Sequence, residues 1–451
     1  MVKNSAERLK RTFPRLFENE LIRRVVLNSG YLFSATGISA GLSMLQSILA
    51  ARLLGVTEFG ILGTITVFVT VVNKFASFRM SELVIKYVGQ YTVQGDRQRA
   101  AAVFKAAGIT ETLTSLFAFG LIYLLAPLGA RYFAKDASTT DWFILYGLIV
   151  LANFMAESAT GLMQIFDRYR TIAVINVGQS LVTLSLISLA YVYQGDLLQV
   201  VLAYMTGKIV GALALALAAL WEAGKHWGRG WWRASVLSLR EHFRELVRFG
   251  VSTNISATIN LVNKDGELLW VSALSSPTDA GYYKLALSLA NLVQLPLSPL
   301  PQATYPELAR EAAGSRWANF RYVLRQGSRM ALAYSAASGL VLLLFGPLLI
   351  RFIYTPEFLP AYPAVLILLV GLLVANTFYW NRIALLALGC PDYPAKVNLA
   401  AAGFKIARIL WLVQRLGYIG SALLLAGFYV FSVSLNVRKA LQVLKKRLVP
   451  A

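Results

Sequence analysis

The chain of 451 residues is poor in the side chains that do most enzyme chemistry. It has two histidines, His226 and His242, and one cysteine, Cys390, so a disulfide framework and a paired-cysteine metal site are both excluded. No HExxH pattern and no GxxxxGK[ST] loop is present, which removes the usual zinc-hydrolase and ATP-binding signatures. Charge is also scarce. Only 14% of residues are Asp, Glu, Lys or Arg and 57% are hydrophobic, whereas soluble domains carry about 25% charged residues. The 12% aromatic content excludes disorder, and a mean hydropathy of +0.59 leaves a polytopic membrane protein.

Acidic residues are the scarcer sign: 22 against 43 basic ones, a net charge of +21. In a soluble protein this would point to nucleic acid, so the placement of the cations decides its meaning. A bilayer core of about 30 Å needs roughly 20 apolar helical residues. Twelve such spans are read at 27–50, 59–80, 103–127, 142–166, 171–194, 198–220, 249–273, 279–301, 328–354, 362–389, 397–414 and 417–436. With both termini in the cytoplasm, the outer loops and outer span ends receive only Arg52, Arg131, Lys135, Arg351 and Arg415. That asymmetry fixes the orientation, because the positive-inside bias counts Lys and Arg near span ends. Most of the +21 is therefore topology, and nucleic acid is not a partner. The first residues lack a signal-peptide cleavage pattern and read as a cytoplasmic segment, either lying on anionic lipid or solvated.

The two halves of the chain align. Leu49 to Gly60 (LAARLLGVTEFG) falls without gaps on Trp270 to Gly281 (WVSALSSPTDAG) at an offset of 221, and Pro127 and Arg131 fall on Pro347 and Arg351 at 220. Six spans per half make the repeats parallel, related by a pseudo-two-fold axis along the membrane normal, with a substrate path between two lobes. The expected organisation is a basic segment 1–26, an N-lobe 27–220, a cytoplasmic linker 221–248, a C-lobe 249–436 and a basic tail 437–451. Within the linker, Leu239, Phe243 and Val247 share a face beside Arg240, Arg244 and Arg248, the pattern of an amphipathic surface helix. Trp227, Trp231 and Trp232 fit an interfacial anchor.

Eleven ionisable residues lie inside the spans. Seven are basic, Lys74, Lys208, Lys264, Lys284, Arg382, Lys405 and Arg408, and four acidic, Glu111, Glu157, Asp265 and Glu267. At roughly 2.5–3.5 kcal/mol for each central charge they cannot face lipid. Lys74 and Glu111 match in depth, as do Lys284, Asp265 and Glu267, so a structural ion pair stands beside a functional role for each. Pairing leaves a surplus of cations, which implies an anionic guest or a wet cavity. Lys405 and Arg408 project from one face of span eleven, and Arg382 is close enough to its span end to snorkel. Span seven is polar in its middle and carries Gly266, which fits a bendable, water-lining helix. Glu157, Asp265 and Glu267 are the candidates for protonation or cation binding.

Five segments carry a family resemblance: Ala51 to Val72 (ARLLGVTEFGILGTITVFVTVV), Asp279 to Leu289 (DAGYYKLALSL), Leu300 to Arg310 (LPQATYPELAR), Leu343 to Leu369 (LLFGPLLIRFIYTPEFLPAYPAVLILL) and Arg415 to Val430 (RLGYIGSALLLAGFYV). The chain resembles the prokaryotic polysaccharide transporters, the O-antigen and exopolysaccharide flippases of the multidrug/oligosaccharidyl-lipid/polysaccharide (MOP) exporter superfamily. The resemblance implies an all-α fold of two six-helix lobes around a cationic cavity with alternating access. The implied cargo is an oligosaccharide on a polyprenyl diphosphate, moved across a prokaryotic plasma membrane without a cofactor and driven by an H+ or Na+ gradient or by removal of the product. Membrane lipids and the pathway's polymerase and glycosyltransferases are the implied partners. Lys208, Lys264, Lys284, Arg382, Lys405 and Arg408 then become substrate-binding candidates, because a diphosphate needs forked or mobile cations. Twelve spans rather than the fourteen of many relatives leave out a lipid groove built from two extra helices, and Lys284 stands where relatives carry a small or apolar residue. The competing readings are an ion-coupled multidrug exporter or another lipid-linked-precursor exporter of the same superfamily, a membrane glycosyltransferase or polymerase, and a non-transporting scaffold. The basic excess argues against the drug exporter and the short outer loops against the enzyme.

Overall fold

A helix rises about 1.5 Å per residue, so the apolar stretch Ser34–Ala76, 43 residues long, would run to about 64 Å, twice a bilayer core. It must break, and in the computed structural model it does. The structure describes residues 20–78, 80–242 and 266–448, with side chains at 34–78, 80–240 and 266–448. Helix α1 (Glu20–Ala76) is interrupted at Gly55, whose φ of 68° and ψ of −175° lie outside the helical region and favour a residue without Cβ.

The elements that follow are α2 (Met80–Val93), α3 (Arg97–Leu128), α4 (Thr140–Ala152), α5 (Ala156–Ile165), α6 (Tyr169–Val192) and α7 (Leu197–Trp227). The second half holds α8 (Glu267–Leu274), α9 (Pro277–Gln294), α10 (Leu300–Ala313), α11 (Trp317–Ile353), α12 (Tyr362–Thr377), α13 (Asn381–Ala387) and α14 (Asp392–Leu448). Helix α14 breaks at Gly417, φ 55°. No strand occurs among the described residues, and eight segments are long and apolar enough to cross a membrane. Two of these are the broken helices α1 and α14, so together they hold ten of the twelve spans read from the sequence. Helices α8 and α9 occupy the end of span seven and most of span eight, while residues 249–265 lie outside the described residues.

The duplication is visible in the element boundaries. Met80–Val93 and Leu300–Ala313 both have 14 residues and start 220 apart, and Arg97–Leu128 and Trp317–Ile353 start at the same offset. Spans four and ten, read as continuous, are each interrupted within the span: α4 stops at Ala152 and α5 starts at Ala156, and α12 stops at Thr377 and α13 starts at Asn381. Helix α2 lies almost wholly outside the twelve spans, because Glu82 and Lys86 dilute its hydropathy. Its buried residues Met80, Leu83, Val84, Tyr87, Val88 and Tyr91 nevertheless keep helical spacing and pack in the core beside Phe104 and Leu162.

Two compact units share the chain. One holds Met1–Leu53, Phe68–Ala130 and Asp136–Leu261, the other Leu54–Val67, Arg131–Lys135 and Val262–Ala451. In the first unit the linker departs from expectation. Its described part forms 3-10 turns, Trp231–Arg233 and Val236–His242, instead of an amphipathic α-helix, and residues 243–248 lie outside the described ones. Leu239 is buried, Trp227 and Trp231 are half-buried with their rings tilted against Phe104 at the edge of the core, and Trp232 is exposed.

In the second unit the segment 56–67 crosses α9 at van der Waals distance. A Cβ on Gly60 would lie 1.9 Å from the Pro277 carbonyl oxygen, and one on Gly281 would lie 2.1 Å from that of Val56. Thr57 and Thr278 share a hydrogen bond of 2.9 Å across 221 residues of sequence. Positions 56 and 277, 57 and 278, and 60 and 281 are repeat equivalents, so each side of the crossing is the image of the other, as in an isologous interface.

Candidate functional site

A carboxylate inside a span must be neutralised or solvated. Glu267, in the first turn of α8, is 1% exposed and receives both an ammonium and a phenol. Lys405 Nζ of α14 donates to Glu267 Oε1, and Tyr283 OH of α9 donates to Oε2. Lys405 is itself only 3% exposed. Three helices are thus tied together by one carboxylate whose two oxygens are both engaged. This pairs a proposed coupling residue with a proposed substrate cation: the structure gives Lys405 to Glu267 rather than to an open cavity.

The first unit has a buried carboxylate of another kind. Glu111 of α3 is 4% exposed and faces the start of α5. Its Oε1 accepts from the Glu157 amide at 2.7 Å, and its Oε2 from the Ser158 amide at 2.9 Å and the Ser158 hydroxyl at 2.7 Å. The first amides of a helix have no intrahelical acceptor, and Met155 at the cap position offers no side-chain bond, so a negative charge supplied from α3 fills the gap. The expected Lys74–Glu111 pair is therefore replaced by a cap, and Lys74 is an exposed side chain. Depth alone had matched them, but the break after Ala152 creates stronger claimants for the carboxylate.

Lys284 does not join Glu267 either. Its Nζ donates to the Phe59 carbonyl at 3.3 Å and lies 3.9 Å from the centre of the Phe59 ring, with its methylenes against Gly63. Position 63 is the repeat equivalent of 284, so the lysine fills the space that a glycine in the other copy leaves. Glu157 is exposed and accepts from Ser81 Oγ at 2.5 Å. Lys264 and Asp265 lie outside the described residues. Lys208 of α7, Arg382 of α13 and Arg408 of α14 are exposed, and among the described residues no carboxylate pairs with them. The Arg408 guanidinium sits 5.3 Å from the Phe404 ring centre, which shields one face of the ion.

Sequence reasoning missed Tyr283 and Ser158, the partners that make the two carboxylates tolerable. It also missed Gln46, 4% exposed, whose Nε2 donates to the Ser180 carbonyl at 2.8 Å. The repeat carried that signal, since 46 and 267 are equivalent positions and both hold a buried polar side chain on the same span of each half.

Comparison with known proteins agrees with this architecture. Residues 25–311 match the family described as polysaccharide biosynthesis protein. A curated relative, the inner membrane protein YghQ of Escherichia coli K12, is 21% identical over 295 residues, covering 65% of this chain and 82% of the relative. Among solved structures, an inward-facing multidrug resistance MATE family transporter of the MOP superfamily superposes with a TM-score of 0.70 at 13% identity, covering 90% of this chain and 96% of that one. The lipid II flippase MurJ in an inward closed conformation gives 0.70 at 15% identity, covering 92% and 90%. A MOP superfamily transporter from Pyrococcus furiosus, described as having a binding pocket of reverse polarity, gives 0.62 at 12%, covering 95% and 97%. The structural likenesses establish the fold, and the match over residues 25–311 establishes the family: this multi-pass membrane chain belongs to the polysaccharide biosynthesis protein family and has the MOP superfamily fold.

Proposed function

We propose that the protein is a flippase for oligosaccharides linked to a polyprenyl diphosphate, working by alternating access in the inner membrane of a prokaryote with both termini cytoplasmic. The observation that carries this reading is the fate of the charges within the spans. Glu111 and Glu267, the two buried carboxylates among the described candidates, are consumed by internal partners, while Lys208, Arg382 and Arg408 are exposed and have no carboxylate partner among the described residues. Exposed cations of this kind suit a diphosphate, which is stabilised by forked guanidinium contacts and by mobile ammonium groups. They disfavour a cationic drug as cargo. Family membership supports a polysaccharide pathway, and cargo of the same charge would come from its glycosyltransferases and pass to its polymerase.

The test is transport in proteoliposomes holding a fluorescent lipid-linked oligosaccharide diphosphate, read as the fraction accessible to an external quencher. The triple variant Lys208→Glu, Arg382→Glu, Arg408→Glu should lose transport about tenfold or more while its unfolding temperature stays near that of the parent. Undiminished transport by that variant would exclude these cations as the binding surface. Transport that collapses with a proton or sodium ionophore would identify the coupling ion.

A further inference from the structure

Span four is broken for three residues, Asn153–Met155, at membrane depth. Two side chains of α3 repair the break. Glu111 takes the amides of α5, and the Thr112 hydroxyl serves the Gly108 and Phe154 carbonyls at 2.8 and 3.3 Å. Irregular backbone persists within a membrane where it is buried in protein or lines a cavity, and a cavity lies here. It measures about 290 Å³ and is lined by Phe104, Gly108, Leu113, Phe154 and Leu220, with Lys105 and Trp231 on the side of the linker.

The lining determines what fits. The single Thr112 proton is shared between two carbonyls, which leaves only its oxygen to accept, and the other lining side chains except Lys105 and Trp231 are apolar, so water would find few of the two to four partners it needs. An apolar chain suits the space, whose size lies at the lower end of ligand pockets. Its rim is formed by Ile109 and Leu113, 47% and 61% exposed on the face of α3 that a membrane would cover with acyl chains. The linker end supplies the charge. Lys105 Nζ donates one bond to the Ala234 carbonyl at 3.2 Å and keeps two N–H groups. Arg233 ends the 3-10 turn that carries Trp231, and Arg229 lies just before it.

We infer that this cavity is a binding site for one anionic phospholipid, with an acyl chain inserted at the broken helix and the phosphate held at Lys105. A basic pocket between spans beside an interfacial tryptophan is a chemistry that recognises anionic head groups. The site lies wholly within the first unit and is separate from the transport cations of the proposed function.

The test uses the full-length purified protein, exposed to vesicles of phosphatidylglycerol or of phosphatidylcholine and then examined for retained lipid by native mass spectrometry. The parent should retain one phosphatidylglycerol in preference to phosphatidylcholine. Gly108→Phe should lower that occupancy about tenfold. A Cβ at position 108 meets nothing within 4 Å, so the added side chain starts into open space on the cavity wall. Lys105→Gln should keep a bound lipid and lose the preference for the anionic one. Leu113→Trp, narrowing the cavity from its rim, repeats the test if Gly108→Phe fails to fold. Equal retention of the two lipids by the parent, or unchanged phosphatidylglycerol retention in the filled variants that fold, would overturn the assignment.

Discussion

The two halves of the chain solve the same packing problems with opposite chemistry. Where spans one and five meet in the first half, Gln46 donates a neutral hydrogen bond to the Ser180 carbonyl. The equivalent meeting of spans seven and eleven is the Glu267–Lys405 ion pair with Tyr283 attached. The reverse holds one layer away. The first half caps its broken span with the Glu111 carboxylate, whereas position 331, its equivalent at an offset of 220, is a fully buried alanine. At the second break, Asn436 Nδ2 instead donates to Asn381 Oδ1 at 3.1 Å, and Asn381 Nδ2 to the Phe378 carbonyl at 2.9 Å. A duplicated backbone therefore tolerates a buried charge at either of two layers, provided that the partners arrive with it. A duplicated position does not imply a duplicated role.

Breaking the second half's ion pair should have the largest effect. Glu267→Ala or Lys405→Ala leaves an uncompensated charge and should cost about 3–5 kcal/mol in reversible unfolding in detergent. The double variant Glu267→Gln, Lys405→Met imitates the neutral solution of the first half and should recover most of that loss. Additive losses in the double variant would show that the two residues do not act as a pair. Next comes the cap. Glu111→Ala should cost about 3 kcal/mol, because it orphans two amides and a hydroxyl, while Glu111→Gln keeps a carbonyl acceptor and should lose clearly less. Equal losses would mean that packing rather than hydrogen bonding holds the residue.

The helix crossing offers a symmetric test. Gly60→Ala and Gly281→Ala each press a methyl group into the opposite backbone and should cost about 2 kcal/mol apiece, with similar values for the two. Unequal costs would break the equivalence of the two sides. The smallest effect belongs to the loop after α3, where Asp136 accepts from the Ser138 amide and hydroxyl at 2.9 and 2.7 Å. Those bonds hold its carboxyl below the usual aspartate value. Its contribution is therefore present above the unfolded-state pKa and is lost as pH falls through the lower folded value. The equivalent turn at Pro356–Ala361 has no side-chain cap. Asp136→Ala should thus lower neutral-pH stability slightly, by the contribution that is lost, leave stability in acid unchanged, and so flatten the acid limb of a pH–stability profile. An unchanged acid limb would count against the cap.

Much of the fold was legible because hydropathy, glycine and the repeat are local or periodic signals. Leu49 to Gly60 aligned on Trp270 to Gly281 before any contact was known, and the Thr57–Thr278 bond then joined two equivalent positions. The break at Gly55 falls between spans one and two, and the break at Gly417 on the first residue of span twelve, so both lie where the sequence separates spans. The interrupted spans four and ten were not legible. Asn153–Met155 and Phe378–Trp380 contain no glycine or proline, and what ends the helices is the partner waiting for the freed backbone groups. The candidate site was half legible for the same reason. Counting charges found Glu111, Glu267 and Lys405, but depth matching could not see the three donors at the start of α5 that Glu111 accepts from.

What the sequence determined by itself is the material: a membrane chain, duplicated, with more cations inside its spans than carboxylates to neutralise them. Those are sums and periods, and they survive any uncertainty about which side chain meets which. Tertiary structure decided which charges are spent. It joined Lys405 to Glu267 and turned Glu111 into a helix cap, and it left Lys208, Arg382 and Arg408 exposed without a carboxylate among the described residues. The energy of a charge within a membrane depends on the few ångströms around it, and only packing sets those distances.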